Sequence, residues 1–158
     1  MSYATVMVWV DIDQISKPLV SVAAGVANKF AAKLVGLSAV AIVPPFVAEG
    51  VVIVDNATEF DIVKIKANLA EAGSKFQSAA GIDQQAEWRS AIEFPTQALV
   101  GEARCADLIV IEKGKLGDIY RTVDVGAAIL GAGRPFLVVP AAIKSFSADH
   151  VAIGWKDT

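Results

Sequence analysis

Cysteine, histidine and basic residues are scarce in this sequence of 158 residues. The single cysteine, Cys105, has no partner for an internal disulfide bond, which is typical of a protein of the reducing cytoplasm. The single histidine, His150, excludes a histidine-rich metal site, and we expect no bound metal. Lysine and arginine total 14 against 17 acidic residues, so no basic excess is present to neutralise phosphates. We therefore expect a cytoplasmic protein that has no nucleic-acid partner.

Charged residues are also few, at 20%, whereas hydrophobic residues make up 54% of the chain. This composition predicts a large continuous core and some apolar surface that meets a partner. The stretch Leu34–Val54 is long enough to span a bilayer. However, Pro44 and Pro45 would break a helix there, and Glu49 would be costly inside a membrane. We interpret the stretch as a buried strand followed by an apolar loop, Val43–Val54, and expect no membrane span.

Short apolar runs alternate along the chain with longer segments of helical periodicity. Five runs predict strands, and four segments predict helices. This alternation is typical of an α/β fold, a three-layer sandwich in which helices cover both faces of a parallel sheet. The predicted strands are Thr5–Val10, Leu34–Ile42, Gln84–Ser90, Ala106–Glu112 and Pro135–Val139, and the predicted helices are a segment after Ser16 that reaches Phe30, Thr58–Ala80, Pro95–Ala103 and a short helix that ends near Gly131.

The composition of the five runs predicts their order in the sheet. The first and fourth runs are the most apolar and should lie side by side at the centre. The third run alternates polar and apolar residues, as an edge strand does. The order 3-2-1-4-5 satisfies both conditions. Ligands of such sheets bind at the carboxyl ends of the strands where the order reverses, which places a site between Asp11 and the loop after Glu112.

Asp11 and Asp13 follow the first predicted strand and allow two interpretations. In phospho-accepting receiver domains, paired acids at this point hold a magnesium ion, together with an aspartate after the third strand and a lysine after the fifth. Those two positions hold Arg89–Ser90 and Pro140 here. We therefore favour the second interpretation, in which both carboxylates cap the turn by accepting hydrogen bonds from backbone N–H groups.

Motifs for catalysis and for common cofactors are missing. The segment DIDQISKP after the first strand has no glycine, which excludes both the Gly-x-Gly-x-x-Gly turn and a P-loop there. The sequence has no Gly-x-Ser-x-Gly elbow for a serine nucleophile. Cys105 precedes a buried strand whereas His150 lies in the tail, so we expect a buried cysteine and no Cys–His dyad. We predict no catalytic residue.

The remaining candidate for chemistry is the loop Glu112–Gly117. Gly114 and Gly117 could turn backbone N–H groups toward a phosphate, and the next helix would add its dipole. The alternative is a tight solvent-exposed loop that needs glycine for a left-handed backbone. Two glycines three residues apart form a short pattern, which favours the alternative. The residues that would supply positive charge to a phosphate are Lys113, Lys115 and Arg121.

Two segments of the sequence resemble the C-terminal half of universal stress protein domains: ADLIVIEKG (residues 106–114) and GRPFLVVP (residues 133–140). The opening strand, which ends at Asp11, fits the same family, and the resemblance covers roughly residues 3–140. It implies the Rossmann-like, adenine-nucleotide-binding type of α/β fold, of order 3-2-1-4-5. HVAIGWKDT (residues 150–158) resembles the opening of the second domain in tandem members. We therefore expect a domain over residues 1–140, followed over residues 141–158 by a linker and the first strand of a second domain.

ATP-binding members of this family carry Gly-x2-Gly-x9-Gly-Ser/Thr after the fourth strand, and this sequence departs from the second half of that motif. Gly114 and Gly117 match the first half, but Ala127 and Ala128 stand where the glycine and the hydroxyl residue are expected, and Gly126 is one place early. The resemblance thus implies a degenerate nucleotide site. Its candidate residues are Asp11, Asp13, Val40, Ala41, Gly114, Gly117, Gly126 and Ala127.

We expect a stress-response regulatory or interaction module of this family that turns over no substrate, because the sequence has no nucleophile–base pair and its phosphate motif is broken, and we expect no cofactor. The alternative is a domain that binds ATP or AMP, with at most slow ATP hydrolysis. A third interpretation is a small apolar ligand under the loop Val43–Val54. The last strand, Pro135–Val139, is expected to pair with its counterpart in a homodimer, or with a second domain in a pseudo-dimer.

Overall fold

The computed structural model describes residues 3–43, 47–48, 51–52, 57–81, 86–113, 117–143, 145–147 and 150–154 of the chain. Its strands are β1 (Thr5–Trp9), β2 (Lys33–Ala39), β3 (Val47–Ala48), β4 (Val51–Val52), β5 (Ala86–Ala91), β6 (Leu108–Glu112) and β7 (Phe136–Val139). Its helices are α1 (Lys17–Phe30), α2 (Ala57–Ala80), α3 (Pro95–Glu102) and α4 (Val125–Ala132), and a 3-10 turn, Ala103–Cys105, follows α3.

The main sheet contains five parallel strands in the order β5-β2-β1-β6-β7. Counted over these five strands alone, this is the predicted order 3-2-1-4-5, which is confirmed. The two most apolar strands, β1 and β6, are adjacent at the centre, with Met7 opposite Ile109. The half-polar strand β5 lies at one edge and pairs only with β2 among the described strands.

The segment that the sequence predicted as an apolar loop, Val43–Val54, contains two short strands. β3 and β4 pair antiparallel, with Ala48 opposite Val51. A run of β-branched residues such as Val51 and Val52 favours extended backbone, which accounts for the departure from a plain loop. The prediction of an irregular loop is therefore wrong for these residues, and the rest of the segment after Val43 lies outside the described residues.

Residues that favour helix ends mark the start of α1 and the ends of α2 and α4. Ser16 precedes α1, and its Oγ accepts a hydrogen bond from the N–H of Leu19 at 3.4 Å. Pro18 occupies the first turn of α1, where a missing N–H is harmless. α2 and α4 are followed by Gly81 and Gly133, whose φ angles of +93° and +59° suit glycine.

Helices cover both faces of the sheet. On β1, Val6 and Val8 pack in one core with α1 and the end of α2. Met7 and Trp9 point to the opposite face and pack in a second core with α3 and α4. The strand is therefore buried on both sides, and its carboxyl end lies at the middle of the sheet edge where a ligand site was predicted.

Two further predictions, the burial of Cys105 and a sixth strand near the end of the chain, concern residues that the structure places at the surface. Cys105 is exposed, so the prediction of a buried cysteine is wrong. It lies in the 3-10 turn before β6, where its neighbours Ala103 and Ala106 take the buried positions. Residues 150–154 are exposed and form no strand, and the rest of the predicted sixth strand lies outside the described residues. No described helix is both long and apolar enough to cross a membrane.

Candidate functional site

A cleft of about 680 Å³ opens at the carboxyl ends of β1 and β6, where the strand order reverses. This is the place where the sequence predicted a ligand site. Its apolar lining includes Trp9, Val10, Ile15, Ile111 and Val123. Its polar lining includes Asp11, Gln14, Ser16, Lys17, Glu112 and Lys113. The two carboxylates and two ammonium groups give the cleft charges of both signs, with no excess of either.

Asp11 shapes the turn between β1 and α1. Its Oδ1 accepts hydrogen bonds from the backbone N–H of Asp13 at 2.8 Å and of Gln14 at 3.3 Å. The turn-capping interpretation is therefore confirmed for Asp11. Asp11 also lines the cleft, so the residue that fixes the turn borders the place where a ligand would bind.

Asp13 has a different role from the one predicted. Its carboxylate accepts two hydrogen bonds from Arg121, Nε to Oδ2 at 2.8 Å and Nη2 to Oδ1 at 2.6 Å. This bidentate pair holds the pKa of Asp13 below its usual value and raises the pKa of Arg121. The capping interpretation is therefore replaced for Asp13, since its carboxylate joins the segment after β1 to the segment after β6.

Residues 117–122, which we call the strap, follow β6 and lie across the carboxyl ends of the neighbouring strands. Asp118 organises the strap, since its Oδ1 accepts from the N–H of Tyr120 at 2.9 Å and its carbonyl accepts from Thr122 Oγ1 at 2.7 Å. The Tyr120 ring packs against Phe94, with ring centroids 5.3 Å apart. Phe94 follows β5, so the strap reaches as far as the edge of the sheet.

The strap also contacts Ala41, which was predicted together with Val40 as a candidate residue of the nucleotide site. The N–H of Ala41 donates to the carbonyl of Tyr120 at 2.8 Å, and the N–H of Val40 donates to the carbonyl of Ala91 at 3.2 Å. Both residues are buried, and neither lines the cleft. In this arrangement their N–H groups are already bonded within the chain.

The N-terminus of α4 borders the cleft through Val123 and Val125. Asp124 caps this helix, and its Oδ1 accepts a hydrogen bond from the N–H of Ala127 at 3.0 Å. Gly126 and Ala127 therefore lie inside the first helical turn and do not line the cleft, so the structure does not place them as the sequence predicted. Asp124 was not among the residues predicted from sequence, although an aspartate directly before an apolar helical run is a recognised signal for a helix cap.

Of the two predicted loop glycines, Gly117 lines the cleft and Gly114 lies outside the described residues. A Cβ at Gly117 would lie 2.8 Å from Cγ2 and 3.0 Å from Oγ1 of Thr122. The absence of a side chain at Gly117 thus lets the strap fold back on itself, independently of any phosphate. Within the described part of the chain, no group of three or more histidine, cysteine, aspartate or glutamate side chains could hold a metal ion.

Comparison with known proteins places this architecture in one structural class. No protein-family model matches the chain, and no curated protein matches it in sequence. Among solved structures, it is similar to a universal stress protein in complex with cAMP, with 24% identity, a TM-score of 0.60, and 90% of this chain and 100% of that chain covered. It is also similar to the universal stress protein UspA from Lactobacillus plantarum, with 17% identity, a TM-score of 0.63, and 88% and 99% covered.

A third similar structure is the universal stress protein from Archaeoglobus fulgidus in complex with dAMP. It is 19% identical, with a TM-score of 0.55, and the match covers 87% of this chain and 98% of that chain. The fold of the chain is therefore the α/β fold of the universal stress proteins, as the resemblance implied.

Proposed function

We propose that this chain is a non-catalytic regulatory domain of the universal stress protein type, and that its cleft binds an adenine nucleotide with one phosphate group in preference to ATP. The observation that carries the proposal is the Asp124 carboxylate at the N-terminus of α4, between Val123 and Val125, which line the cleft at the switch point of the sheet. The cleft supports binding of a small ligand, and the charge of Asp124 at its border would oppose a ligand with several negative charges.

The size and chemistry of the cleft support a nucleoside ligand. Its volume of about 680 Å³ falls within the range of roughly 300–1,000 Å³ that is usual for small-molecule sites. Ile15 and Pro18, which are partly exposed, offer apolar surface to a base, while Gln14 offers hydrogen-bonding groups. Two structures of this fold are described in complex with cAMP and with dAMP, which are both monophosphates.

The end of the cleft near α4 opposes a triphosphate. A helix N-terminus attracts anions because its first N–H groups are unpaired and its dipole is positive there. In this chain the Asp124 carboxylate already accepts from the N–H of Ala127 and places its own negative charge at the same helix end. A polyphosphate chain in that position would meet a like charge, whereas a single phosphate away from that helix end can use Lys17 or Lys113 of the cleft, or the Arg121 guanidinium of the strap.

Calorimetric titration with AMP and with ATP and magnesium tests this proposal. We expect the wild-type protein to bind AMP more tightly than ATP. Asp124→Ser keeps a capping side chain but removes the charge, and removal of about 1 kcal/mol of repulsion, the value for two charges 4 Å apart in water, should raise ATP affinity about fivefold. Asp61→Ser removes an exposed carboxylate from α2 and serves as the matched control.

The results that would contradict the proposal are specific. Equal affinity of the wild-type protein for AMP and ATP would refute the role of Asp124. Absence of heat with both nucleotides at millimolar concentration would refute nucleotide binding altogether and leave a module that acts only through its surfaces.

That second candidate, an interaction module, is favoured by the open edge of β7. Ile109 of β6 and Lys113, the residue directly after β6, donate their N–H groups to the carbonyls of Pro135 and Val139. Because backbone groups alternate in direction along a strand, the N–H and C=O groups of Val138 point away from β6. No described strand pairs with this edge, and we propose that it pairs with the same strand of a second copy or of a second domain.

Val138→Pro tests this pairing. Proline removes the N–H that points to the open edge and leaves the bonds to β6 intact. We expect the wild-type protein to sediment as a dimer and the variant as a monomer with a similar melting temperature. A wild-type protein that stays monomeric at high concentration would contradict pairing between copies.

We also propose that residues 1–140 form the domain and that residues 141–158 are a linker and the start of a second domain. In the described tail, Val151 and Ile153 are 77% and 88% exposed, which suits a strand whose partners belong to another unit. A chain that ends at Pro140 should keep the melting temperature of the full chain. A marked decrease would show that the tail belongs to the first domain.

A further inference from the structure

The strap joins three elements at the carboxyl edge of the sheet by contacts of different kinds. Arg121 forms the bidentate ion pair with Asp13, after β1. The carbonyl of Tyr120 accepts from the N–H of Ala41, after β2, and the Tyr120 ring packs on Phe94, after β5. A loop that only connects β6 with α4 needs none of these three contacts. Because all three form on one short segment, they indicate that the strap is held against the carboxyl ends of the strands.

The N–H of Ala41, at the carboxyl end of the sheet, is the hydrogen-bond donor that the closed strap occupies. The N–H groups of Val10 and Val40 donate to the carbonyls of Leu37 and Ala91, which belong to neighbouring strands. The N–H of Ala41 instead donates to the strap. Movement of the strap would therefore leave the N–H of Ala41 as a free donor at the end of β2, without loss of any bond inside the sheet.

We propose that the strap is a gate over the end of β2 and that the Arg121–Asp13 pair is the latch that keeps this gate closed. The inference rests on the proposed function, and it gives that function a means of regulation. A phosphate group offers the guanidinium of Arg121 the same two-oxygen geometry as the Asp13 carboxylate. A nucleoside monophosphate can therefore take Arg121 from Asp13, open the gate and reach the N–H of Ala41.

The Arg121–Asp13 ion pair is partly exposed to solvent, so it can break and form again. The side chains of Arg121 and Asp13 are 39% and 54% exposed, so water competes for the pair. An ion pair of this exposure shifts an equilibrium by about twofold to fivefold. The latch can thus favour the closed gate in the free protein and still yield to a ligand.

Amide hydrogen exchange tests the latch without any ligand. In Asp13→Asn and in Arg121→Gln, the exchange rate of the Ala41 amide should rise about twofold to fivefold over the wild-type rate. The Val40 amide, which bonds to a sheet carbonyl, should not change. Glu71→Gln, which breaks the exposed ion pair with Lys75 on α2, is the matched control and should change neither amide. An unchanged Ala41 rate in both latch variants would overturn the proposal.

Titration with AMP and with adenosine tests the gate. Asp13→Asn frees Arg121 and should bind both ligands about twofold to fivefold more tightly than the wild-type protein does. Arg121→Gln opens the gate but removes the phosphate partner, so only adenosine should bind more tightly. Equal affinity of the wild-type protein and Asp13→Asn for AMP would overturn the gate. Faster Ala41 exchange with no binding of either ligand to any variant would support the latch and refute the proposed function.

Discussion

Gly117→Ala separates two explanations for a glycine beside the cleft. The added Cβ would lie 2.8 Å from Thr122 Cγ2, about 0.7 Å closer than the usual contact of about 3.5 Å. Thr122 cannot turn away freely, because its Oγ1 donates to the carbonyl of Asp118 at 2.7 Å. Overpacking costs about 1–3 kcal/mol of folding stability in a core. Because Gly117 is exposed, we expect Gly117→Ala to lose about 1 kcal/mol of stability, which lowers the melting temperature by about 2–4 °C.

A double-mutant cycle with Thr122→Ala identifies the clash. That variant removes both close atoms and leaves only Thr122 Cβ, at 3.4 Å from the new methyl group. In this background Gly117→Ala should stabilise the protein by about 0.4–1 kcal/mol, because alanine restricts the unfolded chain. Urea unfolding of the four proteins measures the change of sign. An equal loss of stability in both backgrounds would refute the geometric explanation, and a loss of AMP binding without any loss of stability would favour a role at the phosphate.

Three further predictions concern the framework around the site. Gly36→Ala places a Cβ 2.8 Å from the buried ring of Phe76 and should destabilise the protein by about 1–3 kcal/mol, whereas Gly25→Ala meets no atom within 4 Å and should stabilise helix α1 by about 0.5–1 kcal/mol; thermal unfolding measures both. Hydrogen bonds from two backbone N–H groups at the start of β1 lower the pKa of Asp107 from its ordinary value of 3.8. Its stabilisation is therefore present above pH 3.8 and is lost as the pH falls through the lowered pKa, so Asp107→Asn should destabilise the protein at neutral pH and reduce the decline in stability toward acid pH. Cys105 should react with a thiol reagent in the folded protein at a rate close to that in the unfolded chain, and slow reaction would contradict its exposure.

The order of the strands could be predicted because the burial of a strand determines which types of residue it contains. β1 and β6 lie between two cores, so nearly every residue along them is apolar. β5 has one open edge, and its Glu87 and Arg89 side chains pair with each other at 2.7 Å beside the sheet. The strand pair β3 and β4 could not be predicted in this way, because an apolar segment with two prolines is equally typical of an irregular loop.

The site could be predicted in position but only partly in detail. The switch point follows from strand order alone, and Asp11 follows from its place at the end of β1. The Asp13–Arg121 pair could not be predicted, because its members are 108 positions apart and no local pattern connects them. The motif count also assumed a fixed loop length, whereas α4 begins at Val125, only eight residues after Gly117.

Two N–H groups of the expected nucleotide site, those of Ala41 and Ala127, already donate hydrogen bonds within the chain. The two differ in how such a bond could be broken. The N–H of Ala41 is bonded to Tyr120, which is remote in sequence and leaves when the strap moves. The N–H of Ala127 is bonded to Asp124, three residues earlier, and that carboxylate stays beside the helix end as long as α4 exists. Under the proposed gate, access to the site would therefore be conditional at Ala41 and permanently restricted at the N-terminus of α4. This asymmetry is what favours a gated monophosphate site over a site for ATP.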